Sequence, residues 1–425
     1  MKYFTIILVA ATVFLCNKAC VAQEPSIEVG AVTTIRSQFQ GLPVVEPHIS
    51  AHPADDDHLL VAAMVVTDIR QPYQSCRLSS FVSTDGGVNW IETVHDYWGY
   101  DPWTAILPNG QTAMSWLGTP KAFRHQFPIQ FFSSSDGGAT WSEEVQTFSA
   151  PHGHDGTKIT ARGDDFYFTT VRFNDDRSTD VLLYHRHKAD PFSEVTRIGG
   201  QGVRLNFCEP AIHPDGTVVV PSSHFLEKVW VQKYDPKSGD LSNKHLISIQ
   251  PGGAQGYMRM AADFGEDSPF QGRLYFVRAL GSRQQHEGVW LNYSADGGER
   301  WSKDLRVDHF ENDLPSRAMV ASVAVNNVGI IGISWIDSQQ EEAQEKNDVY
   351  FTVSTDGGQS FQRPVRVTSV STSPHTIANG DVANKFPGGG HYLGITARKE
   401  GRFQLIWSDS RSGVFELQTC KVKVE

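Results

Sequence analysis

The chain has 425 residues, with 37 Lys and Arg against 48 Asp and Glu, and a formal charge of −11 at neutral pH. A surface this acidic offers no footprint for nucleic acid or for an anionic membrane, so neither is expected as a partner. An anionic ligand would have to be met by a local group of Arg, Lys or His.

The first segment starts Met1-Lys2, continues as an apolar stretch from Tyr3 to Leu15, and reaches the small-residue site Cys20-Val21-Ala22. That is the pattern of a secretory signal peptide cleaved after Ala22. Residues 23–425 are then expected as one exported domain, secreted or periplasmic and monomeric. Losing Lys2 and Lys18 takes the charge from −11 to −13. No other apolar run is long enough to cross a bilayer. Of five cysteines, Cys76, Cys208 and Cys420 remain; they lie far apart and allow at most one disulfide.

The next feature occurs four times. Ser83-Thr84-Asp85-Gly86-Gly87-Val88-Asn89-Trp90, Ser134-Ser135-Asp136-Gly137-Gly138-Ala139-Thr140-Trp141, Ser294-Ala295-Asp296-Gly297-Gly298-Glu299-Arg300-Trp301 and Ser354-Thr355-Asp356-Gly357-Gly358-Gln359-Ser360-Phe361 each follow an alternating apolar run. Ser-x-Asp-Gly-Gly is hairpin chemistry: the glycines take φ > 0 and the aspartate folds back onto backbone N–H groups. Four copies with the same flanks predict a repeated β-sheet unit.

These turns resemble Asp boxes (BNR repeats), the mark of sialidase-like β-propellers. The resemblance implies an all-β propeller whose boxes are structural, lying away from the ligand face. Asp85, Asp136, Asp296 and Asp356 are spaced by 51, 160 and 60 residues, so two decayed copies are expected in the long gap. His187 to Phe192 and Asp235 to Asp240 fit that register. Six four-stranded units follow, at 46–95, 101–148, 155–198, 208–248, 257–308 and 317–368. A seventh blade is predicted from 392–397, 403–408 and 414–424, completed by 27–35, so that N- and C-terminal strands pair and close the ring. Six blades with an extra strand pair is the alternative.

In a propeller the start of each innermost strand faces the ligand. Those starts read Glu46-Pro47-His48, Asp101-Pro102-Trp103, His154-Asp155-Gly156-Thr157-Lys158, Cys208-Glu209-Pro210, Tyr257-Met258-Arg259, Ser316-Arg317 and His391-Tyr392. Ionisable groups there, before apolar strand bodies, suit a wet polar pocket. His125, Arg172, His224 and Arg278, from second and third strands, are expected on the same face. Cys208, His213 and His224 could gather around zinc, although no paired short spacing is present. No cofactor is certain, and a structural zinc or calcium stays open.

Three chemistries remain. Some seven-bladed propellers resembling sialidases are ulvan lyases or cleave rhamnose–glucuronate linkages; likeness to them implies β-elimination of a uronate polysaccharide or oligosaccharide. Arg259 or Arg317 would neutralise the substrate carboxylate, His154 would be the base and Tyr257 the acid, with His125 nearby. His48, Asp101, Trp103, Lys158, Arg172, Glu209, His224, Arg278 and Tyr392 would bind substrate. A sialidase-type hydrolase would instead clamp a carboxylate with Arg259, Arg317 and Arg172 or Arg278, and use Tyr257 or Tyr392 beside Glu209. Against it, the Arg-Ile-Pro-like motif is missing, since Thr34-Ile35-Arg36-Ser37 has no proline. A non-catalytic glycan-binding propeller is the third reading.

Overall fold

In the computed structural model the described residues are 25–118, 127–199, 205–207, 209–224, 228–249, 258–280, 288–309, 318–338 and 346–425. They form antiparallel sheets with almost no helix. Four sheets hold one blade each. A fifth, of seven strands, holds two, because the 16-residue strand Ile91–Ile106 is the outer strand of the first blade and the inner strand of the second. In the sixth, Gly394–Ala397, Arg402–Asp409 and Glu416–Val424 are completed by Ile27–Val29 and Thr33–Ile35 from the other end of the chain. Among the described residues the count is seven blades.

Packing follows the same cycle. Seven main apolar cores each join two neighbouring blades. The core of Ile35, Val44, Ile49, Val61, Phe81, Ile406 and Leu417 joins the seventh blade to the first. Trp116, Trp335 and Trp407, each on the second strand of its blade, are fully buried in these seams. Burying rings of this size dominates core energetics. Across the seventh seam, Arg398 donates to the Gly86 carbonyl at 3.2 Å, and Arg402 pairs with Asp56 at 2.9 Å. Arg411 grips Asp409 at 2.7 Å in the last blade.

The four boxes share one geometry. The Ser83 hydroxyl donates to Asp85 at 2.8 Å and accepts from Gly87 N–H at 2.8 Å, while Asp85 accepts from Val88 and Asn89 N–H. Ser134, Ser294 and Ser354 repeat the first two bonds. Trp90 and Trp301 close their turns by donating Nε1–H to the Gly87 and Gly298 carbonyls. The boxes also clasp the preceding blade: the Gly137 carbonyl lies 2.8 Å from His58 Nε2, and the Gly357 carbonyl accepts from Arg273 at 2.6 Å. The decayed copies remain turns, with Asp235 capping Lys237 N–H and Lys188 at φ 50°.

Asp136→Ala should therefore lower stability by roughly 1–2 kcal/mol through lost hydrogen bonds, with activity per folded molecule retained; urea unfolding and assay of the folded fraction test both. The Asn89 N–H holds Asp85 down at about 2, and the Arg300 N–H and guanidinium, outweighing burial, do the same for Asp296. Stability from these depressed carboxyls is complete above about pH 4 and is lost as pH falls through about 2.

Cys76 and Cys420 are buried free thiols, and Cys208 lies outside the described residues. Among the described residues no helix is long and apolar enough to cross a membrane.

Candidate active site

Proline in an inner strand cannot donate to the ladder, so it is tolerated at a bulge. Here that rule builds the site. Strand pairing skips between Val45 and His48, and between Tyr100 and Trp103. Inside these bulges Glu46 and Asp101, each preceding a proline, take φ 55° and 53°. The third blade skips between Asp155 and Lys158, with Gly156 at φ 59°. In the fourth, Glu209-Pro210 stands between Leu205–Phe207 and Ala211–Ile212. Four successive blades thus interrupt their inner strand at one level, each beside a carboxylate.

These groups converge with others from opposite blades. Tyr392 donates its hydroxyl to Asp101 at 2.9 Å. The rings of Trp103 and Tyr392 meet edge to face at 5.3 Å, and His48 stacks on Trp103 at 3.8 Å. Lys158 Nζ lies 3.9 Å from the Trp103 centroid and 3.6 Å from that of Tyr392. The Arg259 guanidinium lies 4.8 and 5.1 Å from the same two rings. Two cations therefore share one aromatic floor, an arrangement favoured by the ring quadrupoles.

Their hydrogen bonding is incomplete. Arg259 gives Nη1–H to the Met258 carbonyl at 2.9 Å, and its Nε stands 3.7 Å from Glu209, an ion pair longer than a hydrogen bond. Among the described residues, Arg259 Nε and Nη2 and Lys158 Nζ are buried and donate to no acceptor. Leaving buried charged donors unsatisfied is costly. An anionic ligand group would satisfy them.

Burial and the neighbouring Glu46 push the Asp101 carboxyl up to about 7. Burial and Arg259 pull Lys158 down to about 7, against the nearby carboxylates. Glu46 goes the other way: burial raises it, but the His391 side chain, 3.2 Å away, and its charge outweigh that and keep Glu46 ionised. Asp155 is exposed, within electrostatic reach of Lys158, His391 and Glu46, and burial of its carboxyl raises it despite Lys158. Burial and Asp101 hold the Tyr392 hydroxyl well above its usual range. His48 is held well below its own by burial and then by Arg259, and Thr104 N–H points at its Nδ1. Two neighbouring carboxyls, Glu46 and Asp101, are thus shifted in opposite directions, which is how acid–base sites are recognised. Gly390 makes this possible, because a Cβ there would lie 2.4 Å from Glu46 Cγ and push the 388–392 segment away.

Other expected residues stand elsewhere. Successive strand residues point to opposite faces, so with Asp155 beside Lys158, His391 and Glu46, His154 faces away from that cluster. It lines a separate cleft of about 750 Å³ with His152, Arg172, Asp175 and Tyr184, and burial lowers it to about 4. Arg172 there pairs with Asp180 at 2.7 Å. Arg278 is tied into a buried network with Asn292, Ser248 and Asp304. His224 closes the strand Val218–His224, opposite Leu205 and Lys228 in register. His125, Tyr257 and Arg317 lie outside the described residues. Of the expected substrate-binding residues, His48, Asp101, Trp103, Lys158, Glu209 and Tyr392 come together with Arg259. Glu46, Asp155 and His391 were without assigned roles, although the repeated acid–proline strand start marked the first. Among the described residues no three metal-ligating groups stand close enough to hold an ion.

No family model matches this chain, and no curated protein does. Many solved structures share its fold. A protein of unknown function from Dyadobacter fermentans DSM 18053 is 10% identical, with 94% of this chain and 99% of that one covered and a TM-score of 0.50. YCF48 bound to D1 peptide is 14% identical over 93% and 95% of the two chains, at 0.47. The intramolecular trans-sialidase of Ruminococcus gnavus, in complex with oseltamivir carboxylate, is 12% identical over 90% and 94%, at 0.44. Identities this low speak to fold alone. Any functional reading must come from the side chains.

Proposed function

We propose that this protein is an exported carbohydrate-active enzyme that cleaves a uronate-containing polysaccharide by β-elimination in the channel mouth. One observation carries the reading: the buried Nε and Nη2 of Arg259 and Nζ of Lys158, which donate to no acceptor among the described residues, lie against the rings of Trp103 and of Tyr392, whose hydroxyl is hydrogen-bonded to Asp101. A sugar carboxylate placed on those donors would lose its charge electrostatically, which acidifies the neighbouring C5–H and stabilises the enolate-like intermediate. The Tyr392 oxygen would take that proton as its own passes to ionised Asp101. Asp155, exposed beside the cluster and with its carboxyl raised by burial, would return a proton to the departing glycosidic oxygen. The C5–H and C4–O bonds break, a C4=C5 bond forms, and no water is consumed. The base role expected of His154 passes here to the couple, because His154 belongs to the outer cleft.

Hydrolysis is the second reading, favoured by the carboxylates of Asp101, Asp155 and Glu209 in the same cluster. Tyr392 would then attack the anomeric carbon with Asp101 accepting its proton, and Asp155 would be the acid. Incubating the purified protein with a panel of uronate polysaccharides, beside a fluorogenic sialoside, separates the two. Rising ultraviolet absorbance from a new C=C bond supports elimination. Sialoside release or reducing ends without absorbance would replace it by hydrolysis, and binding without turnover would leave a lectin.

A further inference from the structure

We propose that the substrate is bound as a chain, with the acidic sugar next to the reacting one lying on the exposed ring of Tyr73; this rests on the uronate reading of the channel mouth. Tyr73 is carried by the short 3-10 turn Pro72–Gln74, between the second and third strands of the first blade, and is 45% exposed. Its ring is pinned by two edge contacts, to Tyr100 at 6.1 Å and to Phe386 at 5.5 Å. Phe386 in turn lies 6.2 Å from the His391 ring. Tyr100, Tyr73, Phe386 and His391 so form an arc of rings. One end adjoins Asp101 and the other Tyr392, the two members of the proposed proton-transfer couple.

Two further observations tie Tyr73 to that site. Its hydroxyl is raised by burial and then by the charges of Glu46 and Asp101, so the ring stands within electrostatic reach of both. Lys385 places its Nζ 5.4 Å from the Tyr73 centroid. A cation beside a ring on the rim repeats in exposed form the pairing of Lys158 and Arg259 with Trp103 and Tyr392 inside. The outer pair matches a second carboxylate, on the next sugar of the chain. A ring already fixed by its neighbours loses little freedom on stacking, which is what makes it an effective contact.

Calorimetric titration of full-length Asp101→Asn protein with galacturonate and glucuronate oligomers of one to four residues tests this without turnover. The dimer is expected to bind about tenfold more tightly than the monomer. Tyr73→Ala in the same background should erase that gain while leaving monomer affinity unchanged, and Tyr73→Trp should restore it. A gain that persists in Tyr73→Ala, or no gain in the parent protein, overturns the proposal. Failure of every oligomer to bind overturns it together with the uronate reading. Retained turnover by Asp101→Asn would overturn the assigned chemistry alone, since the chain-length dependence is read from binding.

Discussion

Replacing Asp101 by Asn should sharply lower turnover and, above pH 7, yield a more stable protein. Asn keeps the shape, accepts the Tyr392 hydroxyl through Oδ1, and tolerates the left-handed conformation at φ 53°. What it lacks is a site for the proton leaving Tyr392, and loss of a positioned base lowers turnover by roughly 10²–10⁴-fold. The stability sign follows from the raised carboxyl. Ionising Asp101 costs the folded state nothing below about pH 4, progressively more as pH rises, and the full amount above about 7. Asn removes that cost, a gain on the order of 1–3 kcal/mol at pH 8 and almost none at pH 4. Urea denaturation at the two pH values reads it directly. Lower stability at pH 8 would make Asp101 a structural residue.

The same two groups set the pH profile. The proposed elimination needs Asp101 ionised and Lys158 charged, and both titrate at about 7. Activity should be bell-shaped with its maximum near neutrality, the acid limb belonging to Asp101 and the alkaline limb to Lys158. Lys158→Arg keeps the cation charged at all working pH values and should remove the alkaline limb only. A profile unchanged by that substitution would take Lys158 out of the mechanism.

The blades were legible because their signals are local. Ser-x-Asp-Gly-Gly prescribes a turn from within eight residues, and alternation marks the strand before it. The ring's joint was also readable, because three leftover strands at one end and a short apolar run at the other complete one sheet. The site was half legible. Acid–proline pairs at Glu46, Asp101 and Glu209 mark the starts of inner strands, but proline ordinarily keeps the preceding residue extended. Nothing in the string announces that Glu46 and Asp101 sit at positive φ inside bulges. His154 shows the cost: alternation puts adjacent residues on opposite faces, but nothing in the string says which of His154 and Asp155 faces the cluster. The Glu46–His391 pair spans 345 residues, and only ring closure brings it together.

Arg259→Met tests the other half of the chemistry. Arg259 is 2% exposed and, among the described residues, makes one hydrogen bond, so the folded protein bears the cost of a poorly satisfied cation. Replacing a buried charge by an apolar side chain of similar length is often neutral or stabilising. The partner left behind, Glu209, is already raised by burial and can take up a proton. Stability should therefore change by no more than about 1 kcal/mol. Activity should fall by roughly 10²–10³-fold, the usual loss when one donor to a developing anion is removed. A methyl-esterified uronate polymer separates charge neutralisation from packing, because an ester needs no cation to acidify its C5–H. The loss caused by Arg259→Met should be much smaller on the ester, which carries no carboxylate charge to neutralise, than on the free acid. Equal losses on both substrates would mean that Arg259 shapes the pocket and that the carboxylate is met elsewhere.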